Sequence, residues 1–444
     1  MVDIQPFYGL RYNLEKVSDL SAVISPPYDV ISPQQQTFYY RKSPYNIIRL
    51  ELGQGSSSDK DKYIRAANLL SRWLKEGILI REKAPAFYLV EHRHSRSNLV
   101  QSNNPKSCWG LIAAVRLEDL DSGKIRPTEQ TLKEPILDRL YLLRACQANL
   151  SPIIGVFNQP KESFLALFSN LDLNHPLMSA VDEEGVVYNL WVINEEKNFK
   201  KINRFFAAEV LYIADGHHRY TTALTYRNEQ RATHPDSTGR EAFNFVMMTL
   251  ISAQDSGLVL LPFHRLVRGI EPEKLTQMRD HLMPYFSIEE LPQTSPSLSK
   301  TLRDWLTTLA ARGNKGTAIG LYGPSPGKFW LLSPHERANL SRLMPEDKPL
   351  AWKGLDVSLL HWVVLRKILG IESEEREKEC LEYSSDGLEV IRKVIEGEYQ
   401  LAFFLNPPSI SQVLAVADAN VRMPQKSNYF YPKTPAGLVI NPLF

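Results

Sequence analysis

The chain has 444 residues, 43% hydrophobic and 23% charged, which is material for two or three cores. Its formal charge of +2 lacks the basic surplus that a nucleic-acid polyanion calls for, so no nucleic-acid partner is expected. Three widely separated cysteines, Cys108, Cys146 and Cys380, argue against a disulfide framework or zinc knuckle and fit a reducing, cytoplasmic setting.

The chain opens without a basic segment followed by an apolar run, so a signal peptide is not expected. No stretch approaches the roughly 18 apolar residues of a membrane span, and no membrane partner is expected. Residues 53–60 form a Ser-rich loop, and 63–74 carry apolar residues at helical spacing, closed by Trp73. A buried strand is expected at 86–90, a polar loop at 94–106 and a second strand at 110–115. A strand at 210–214 and a helix at 220–232 follow, then a loop at 233–240 and strands at 245–251 and 258–261. Residues 292–299, rich in Pro and Ser, make the best linker. Segments 317–322 and 328–332, joined by Gly-Pro-Ser-Pro-Gly, predict a hairpin. Segments 355–369 and 410–417 predict helices, and His361 sits in the first as a core residue without a functional role. The pattern is α+β, with mixed sheets and packed helices and no strict βαβ alternation. Two regions are expected, 1–245 and 246–444, the second completing a cleft on the first.

One turn stands out. The apolar strand at 210–214 stops at Asp215-Gly216, and a helical pattern free of Gly and Pro begins a few residues later. A helix start presents unpaired N–H groups and partial positive charge. Gly216 lets a bulky anion approach the backbone. His217, His218 and Arg219 add donors, Arg219 with a fork suited to phosphate oxygens, and the Thr222 hydroxyl follows. The set suits phosphate binding. The plainer alternative is a common Asp-Gly turn, with Asp215 capping the helix. Asp215 with two histidines also offers metal ligands, but adjacent residues point in different directions, so a further carboxylate such as Glu129 would be required.

With these residues in view, the chain resembles the family called domain of unknown function 1015. The likeness is carried by Pro26-Pro27-Tyr28-Asp29-Val30, Pro127-Thr128-Glu129-Gln130-Thr131, Ser151-Pro152, Ala214 with the Asp-Gly-His-His-Arg turn, Pro262-Phe263-His264-Arg265, and the stretch from Met423 to Lys433. The turn is also similar to the phosphate-contacting turn of the ParB/sulfiredoxin-like fold, which includes sulfiredoxin, CTP-binding ParB proteins and archaeal free-serine kinases. That resemblance implies a nucleotide-binding core. Two departures stand out: the family's Pro-His-Glu is Pro127-Thr128-Glu129 here, and its Lys-Ser-Thr is Lys426-Ser427-Asn428. If that His were an essential base, this chain would lack it.

Among the remaining candidates, Pro26 and Pro27 stiffen a segment that presents Tyr28 and Asp29, with a Pro-rich connection as the plainer alternative. Glu129 is placed to deprotonate a hydroxyl or hold magnesium. Asp138 and Arg139 are expected to be structural. His264 and Arg265 follow a buried strand, where sheet ends meet ligands. Lys426, Ser427 and Lys433 alternate with aromatic residues as a phosphate-binding flap. Walker, Gly-x-Ser-x-Gly and His-Glu-x-x-His motifs are absent.

The expected function is a nucleotide-dependent phosphotransferase acting on a small hydroxylated metabolite, free serine among the candidates. ATP or ADP (or another nucleotide) with Mg2+ is the expected cofactor. Asp215, Glu129 and His218 are the expected catalytic groups. Gly216, His217, His218, Arg219, Thr222, Lys426 and Ser427 would hold phosphate. Tyr28, Asp29, His264, Arg265 and Lys433 would lie at or behind the substrate, and Asp215 and Glu129 would meet the metal. A homodimer is compatible with this reading. The alternatives are a non-catalytic nucleotide switch and a metal-dependent phosphoesterase.

Overall fold

The computed structural model describes residues 2–55, 59–96, 101–325, 327–335 and 340–444. Parts of two expected loops (56–58 and 97–100) and Pro326 of the expected hairpin turn lie outside the described residues.

Among the described residues nine strands form one mixed sheet. At its centre Phe245–Ser252 runs parallel to Ile153–Phe157 on one side and antiparallel to Gln101–Arg116 on the other. Leu211–Asp215 continues the sheet beyond Ile153–Phe157 and pairs in parallel with Ile125–Pro127. Both faces are covered, which explains why these strands are unbroken apolar runs. Phe87, Leu89, Leu111 and Ala113 join one core, whereas Tyr88, Val90, Ile112 and Ala114 join the other, the period-two alternation of a strand buried on both sides.

The expected loop at 94–106 is corrected. Strands Phe87–Arg96 and Gln101–Arg116 pair antiparallel and extend well past the apolar runs that announced them. Their polar ends stay in the ladder because His94 is buried, with its Nε2 2.8 Å from the Gly257 carbonyl.

A second, antiparallel sheet of six strands includes His264–Val267, Leu401–Leu405 and the expected hairpin, observed as Ile319–Tyr322 with Lys328–Pro334. Helices Leu298–Gly313 and Gly387–Ile395 pack on it through Leu302, Trp305, Val390 and Ile391. The expected linker at 292–299 runs from the strand Phe286–Pro292 into Leu298–Gly313, inside this unit. The expected helix at 355–369 begins at Asp356–Leu359 and widens to π geometry over Leu360–Ile368, with the Leu369 N–H reaching the Val364 carbonyl. His361 in it is half-buried, 3.6 Å from the Glu377 carboxylate.

The expected division at 245/246 meets the first residue of the central strand Phe245–Ser252. The end of the chain also returns to the first sheet's side of the molecule. Tyr429–Tyr431 pairs with Val259–Leu261, Asn441–Pro442 pairs with Ala148–Asn149, and Ala436 and Ile440 bridge to Ser25 and Leu10. This return brings the stretch from Met423 to Lys433 against the Asp-Gly-His-His-Arg turn. All three cysteines are free and buried. Among the described residues no helix is long and apolar enough to cross a membrane.

Candidate active site

The strand Leu211–Asp215 ends where Gly216 turns the chain at φ 88°, a conformation open to glycine, and the helix His217–Thr233 begins at the next residue. Its first N–H groups have no intrahelical partner, and no side chain caps them. Gly216, His217, His218 and Arg219 line a cavity of about 410 Å³. Five segments distant in sequence close it: Tyr28-Asp29-Val30, 129–135, the 214–219 turn, Phe263, and 425–433.

The two histidines of the turn look inward. His217 Nε2 accepts the backbone N–H groups of Thr128 and Glu129, each at 3.1 Å, and lies 3.1 Å from the Thr128 hydroxyl. His218 Nε2 accepts the N–H of Leu132 at 3.0 Å. Both nitrogens therefore act as acceptors, which fixes the neutral tautomer with the proton on Nδ1. Burial pushes His217 down to about 3 and also lowers His218. The histidines fasten the segment that carries Glu129. Their Nε2 atoms are not free to donate to a phosphate.

Asp215 is buried and bridged on both oxygens. Oδ1 meets Lys433 Nζ, and Oδ2 accepts from Arg219 at 2.6 Å. Burial works to raise its pKa, but the Lys433 and Arg219 cations outweigh it and hold the carboxyl well below the usual range. A carboxylate so firmly ionised and so fully engaged is a poor base. Its expected roles as base and metal ligand are corrected on that ground. Among the described residues no group of three or more His, Cys, Asp or Glu side chains gathers to hold a metal. Arg219 also donates to the Ser151 hydroxyl at 3.2 Å and the Pro152 carbonyl at 2.6 Å, so its fork is largely spent inside the protein.

Glu129 is the contrasting acid. It lines the cavity half-buried, and its Oε1 accepts the N–H groups of Ser427 and Asn428 at 3.3 and 3.4 Å. Enclosure by protein raises it to about 7, only partly offset by Lys426 and the Asn428 N–H. A carboxyl that titrates near neutrality, beside cations and in a cleft, is suited to accept and return a proton.

Lys426 faces the same space. Its backbone is left-handed, φ 54°, and its ammonium lies 5.2 Å from the centre of the Phe263 ring with no carboxylate in ion-pair reach among the described residues. Lys433 sits 4.6 Å over the Tyr429 ring. Tyr28 is stacked on by buried Arg139 at 4.0 Å, and Arg139 is in turn paired with Glu51 and Asp138. Adjacent Asp138 and Arg139, expected to be structural, bond each other. Asp29 is exposed at the rim.

The other expected residues lie outside the cleft. Thr222 donates to the Ile136 carbonyl at 3.2 Å on the far side of the helix. Ser427 is buried and turned to the Pro424 carbonyl, so it contributes its N–H to Glu129 and not its hydroxyl to a ligand. Arg265 is buried behind the flap, donating to the Phe263 carbonyl and, at 3.0 Å, to the Lys426 carbonyl. His264 belongs to a different cavity. Thr128, where the resembling family carries His, is buried and donates its hydroxyl to the Ile213 carbonyl at 2.8 Å. Phe263, Asn428 and Tyr429 line the cleft and were not singled out as site residues. Phe263 lies in the connection between the strands Val259–Leu261 and His264–Val267, and its place in the Pro262-Phe263-His264-Arg265 stretch is the signal that could have found it.

A family model described as "Protein of unknown function (DUF1015)" matches residues 4–358. No protein of curated function matches the chain. Similar solved structures include a conserved hypothetical protein from Pyrococcus furiosus, 12% identical, TM-score 0.33, covering 72% of this chain and 90% of that one. A mutant free serine kinase in complex with ADP is 10% identical, TM-score 0.35, over 73% and 88% of the two chains. C-terminally truncated SbnI from Staphylococcus aureus is 11% identical, TM-score 0.34, over 75% and 87%. Likeness at this level does not carry an activity over to this chain.

Proposed function

The chain belongs to the DUF1015 family, and we propose that its cleft binds a nucleotide and transfers a phosphoryl group to a small hydroxylated metabolite. The observation that carries this reading is one juxtaposition. Glu129, raised to about 7, shares a cavity of about 410 Å³ with the start of the helix His217–Thr233 and the Lys426 cation, which pairs with no carboxylate among the described residues. Such a volume suits a small-molecule ligand. Helix N–H groups and an ammonium are what phosphate oxygens require.

In this mechanism the backbone N–H groups after Gly216 and the Lys426 ammonium hold the phosphates. Lys433 and Arg219 keep Asp215 ionised and the turn rigid. Glu129 takes the proton of the acceptor hydroxyl as its oxygen attacks the terminal phosphorus; the bridging P–O bond breaks and its electron pair leaves with the nucleotide. Positioning and charge supply most of the acceleration in such transfers. ATP, ADP or another nucleotide is the expected donor. Mg2+ would arrive with its phosphates, and of the two carboxylates first expected to meet it, Glu129 is the one not bridged by cations. Free serine is among the candidate acceptors.

Thermal unfolding with ATP, ADP, CTP and GTP, with and without magnesium, tests the binding step. A ligand at about 100 times its Kd stabilises by about 2.7 kcal/mol, and Lys426→Ala should remove most of the shift. No shift with any nucleotide would overturn the proposal. A nucleotide shift without phosphoryl transfer to any hydroxylated acceptor, followed by 31P NMR, would leave a binding switch in its place.

A further inference from the structure

A second cavity, about 780 Å³, is lined in part by Leu261 and Tyr431 of the ribbon formed by Val259–Leu261 and Tyr429–Tyr431. Tyr429 faces the nucleotide cleft, whereas Tyr431 and Leu261 line this second space. The two cavities have no lining residue in common, so they are separate sites.

One wall is a helical stripe. Ser299, Leu302, Arg303 and Leu306, at i, i+3, i+4 and i+7 of Leu298–Gly313, turn toward the space. Leu388 and Leu405 extend the apolar lining. The charged groups stand at the mouth, and the carboxylates there already have partners: Glu184 with Arg96, Glu183 with Lys42, and Asp386 with the N–H groups of Leu388 and Glu389. They neither demand a cation nor welcome another anion.

Within the cavity lining, His264 differs in kind. It is 2% exposed, packed 4.7 Å from the Phe404 ring centre, and its Nδ1 accepts the Leu405 N–H at 3.4 Å. The proton is thereby placed on Nε2. Among the described residues that N–H has no acceptor. It points to the start of the helix Gly387–Ile395, where a side chain on Gly387 would come within 3.7 Å of it. The ring is buried but lines the cavity, so this donor is available to an acceptor on a bound molecule. Burial also pushes His264 down to about 3, so it stays neutral at physiological pH and favours an uncharged acceptor over a carboxylate.

We propose that this second cavity, with His264 in its lining and the leucine stripe as one wall, binds a small uncharged molecule that combines an apolar group with a carbonyl-type acceptor for the His264 N–H. The site stands independently of the phosphotransfer reading.

The test uses the full chain and two probes of nearly the same shape, acetophenone with the acceptor and ethylbenzene without it. Saturation-transfer NMR titrations should give acetophenone an affinity at least about tenfold tighter, the discrimination that an otherwise unpaired buried donor imposes. The His264 Nε2 resonance in 15N-histidine-labelled protein should move with acetophenone alone. Leu306→Arg, at a partly buried position that tolerates the substitution better than the core, should abolish binding while circular dichroism and unfolding remain those of the wild type. Equal affinity for the two probes, no binding of either, or binding that survives Leu306→Arg would overturn the proposal. Lys426→Ala, which acts on the nucleotide cleft, should leave acetophenone binding unchanged.

Discussion

At the level of single residues, two carboxyls in one cleft are driven in opposite directions. Asp215 lies between Lys433 and Arg219 with all three side chains no more than 10% exposed. Asp215→Asn would leave two buried cations without their counter-charge, and breaking buried pairs in this way costs about 3 kcal/mol or more. Urea unfolding should show that loss, and an unchanged midpoint would mean solvent already screens the triad. Glu129 predicts the converse. Glu129→Gln should keep nucleotide binding within about threefold and lower turnover by roughly 10²–10⁴, the usual contribution of a general base. The limb of the rate profile near pH 7 should vanish with it. A variant that retains both the limb and the rate would assign the proton to another group. The sequence named both acids but could not rank them. The ranking depends on Lys433 and Lys426, more than 200 residues downstream, and on burial, and neither is visible in a local motif. For the same reason His217 and His218 read as phosphate donors: spacing marks them as special, while the N–H groups of 128, 129 and 132 that occupy them come from another segment.

At the level of elements, the Leu211–Asp215 strand and the His217–Thr233 helix were legible because apolar run, glycine and helix formers follow in order. Gly216 makes the joint. Its φ of 88° strains any other residue, and an added Cβ would lie 2.9 Å from Arg219 Nε and 3.0 Å from its Cζ. Arg219 is held by Asp215, Ser151 and Pro152 and cannot step aside cheaply. Gly216→Ala should therefore destabilise by about 1–3 kcal/mol and weaken nucleotide binding together with stability. A Gly216→Ala protein as stable as wild type would show that the turn relaxes into another form. The hairpin Phe87–Arg96 with Gln101–Arg116 was legible only at its apolar base. Composition rewards burial, and its polar ends are held by pairing and by the His94–Gly257 contact instead.

At the level of the whole molecule, an α+β chain with mixed sheets was legible from composition and pattern. The return of residues 423–444 to the first sheet's side was not, because β pairing across hundreds of residues leaves no local period. That return completes the cleft, and it also buries titratable groups whose protonation sets acid stability. Burial pushes His92, His217 and His264 down to about 3 and His361 to about 4. Each stays neutral in the folded state while the unfolded chain takes up a proton near 6.5, so the stability they contribute is lost as pH falls from 6.5 toward 3. Glu129, raised to about 7, and Asp356, raised to about 6, act in the other direction. The folded state binds their protons more tightly, so their contribution is present at low pH and lost as pH rises through 6 to 7. The lowered imidazoles, His94 and His218 among them, outnumber the carboxyls raised as far as pH 6 to 7, so near pH 5.5 the unfolded chain holds more protons and stability falls with pH. The urea midpoint should fall between pH 7.5 and 5.5 at constant m-value. Glu129→Gln removes one opposing group and should make that fall steeper, so a shallower dependence in this variant would show that Glu129 titrates in the ordinary carboxyl range and would remove the main support for its role as a base.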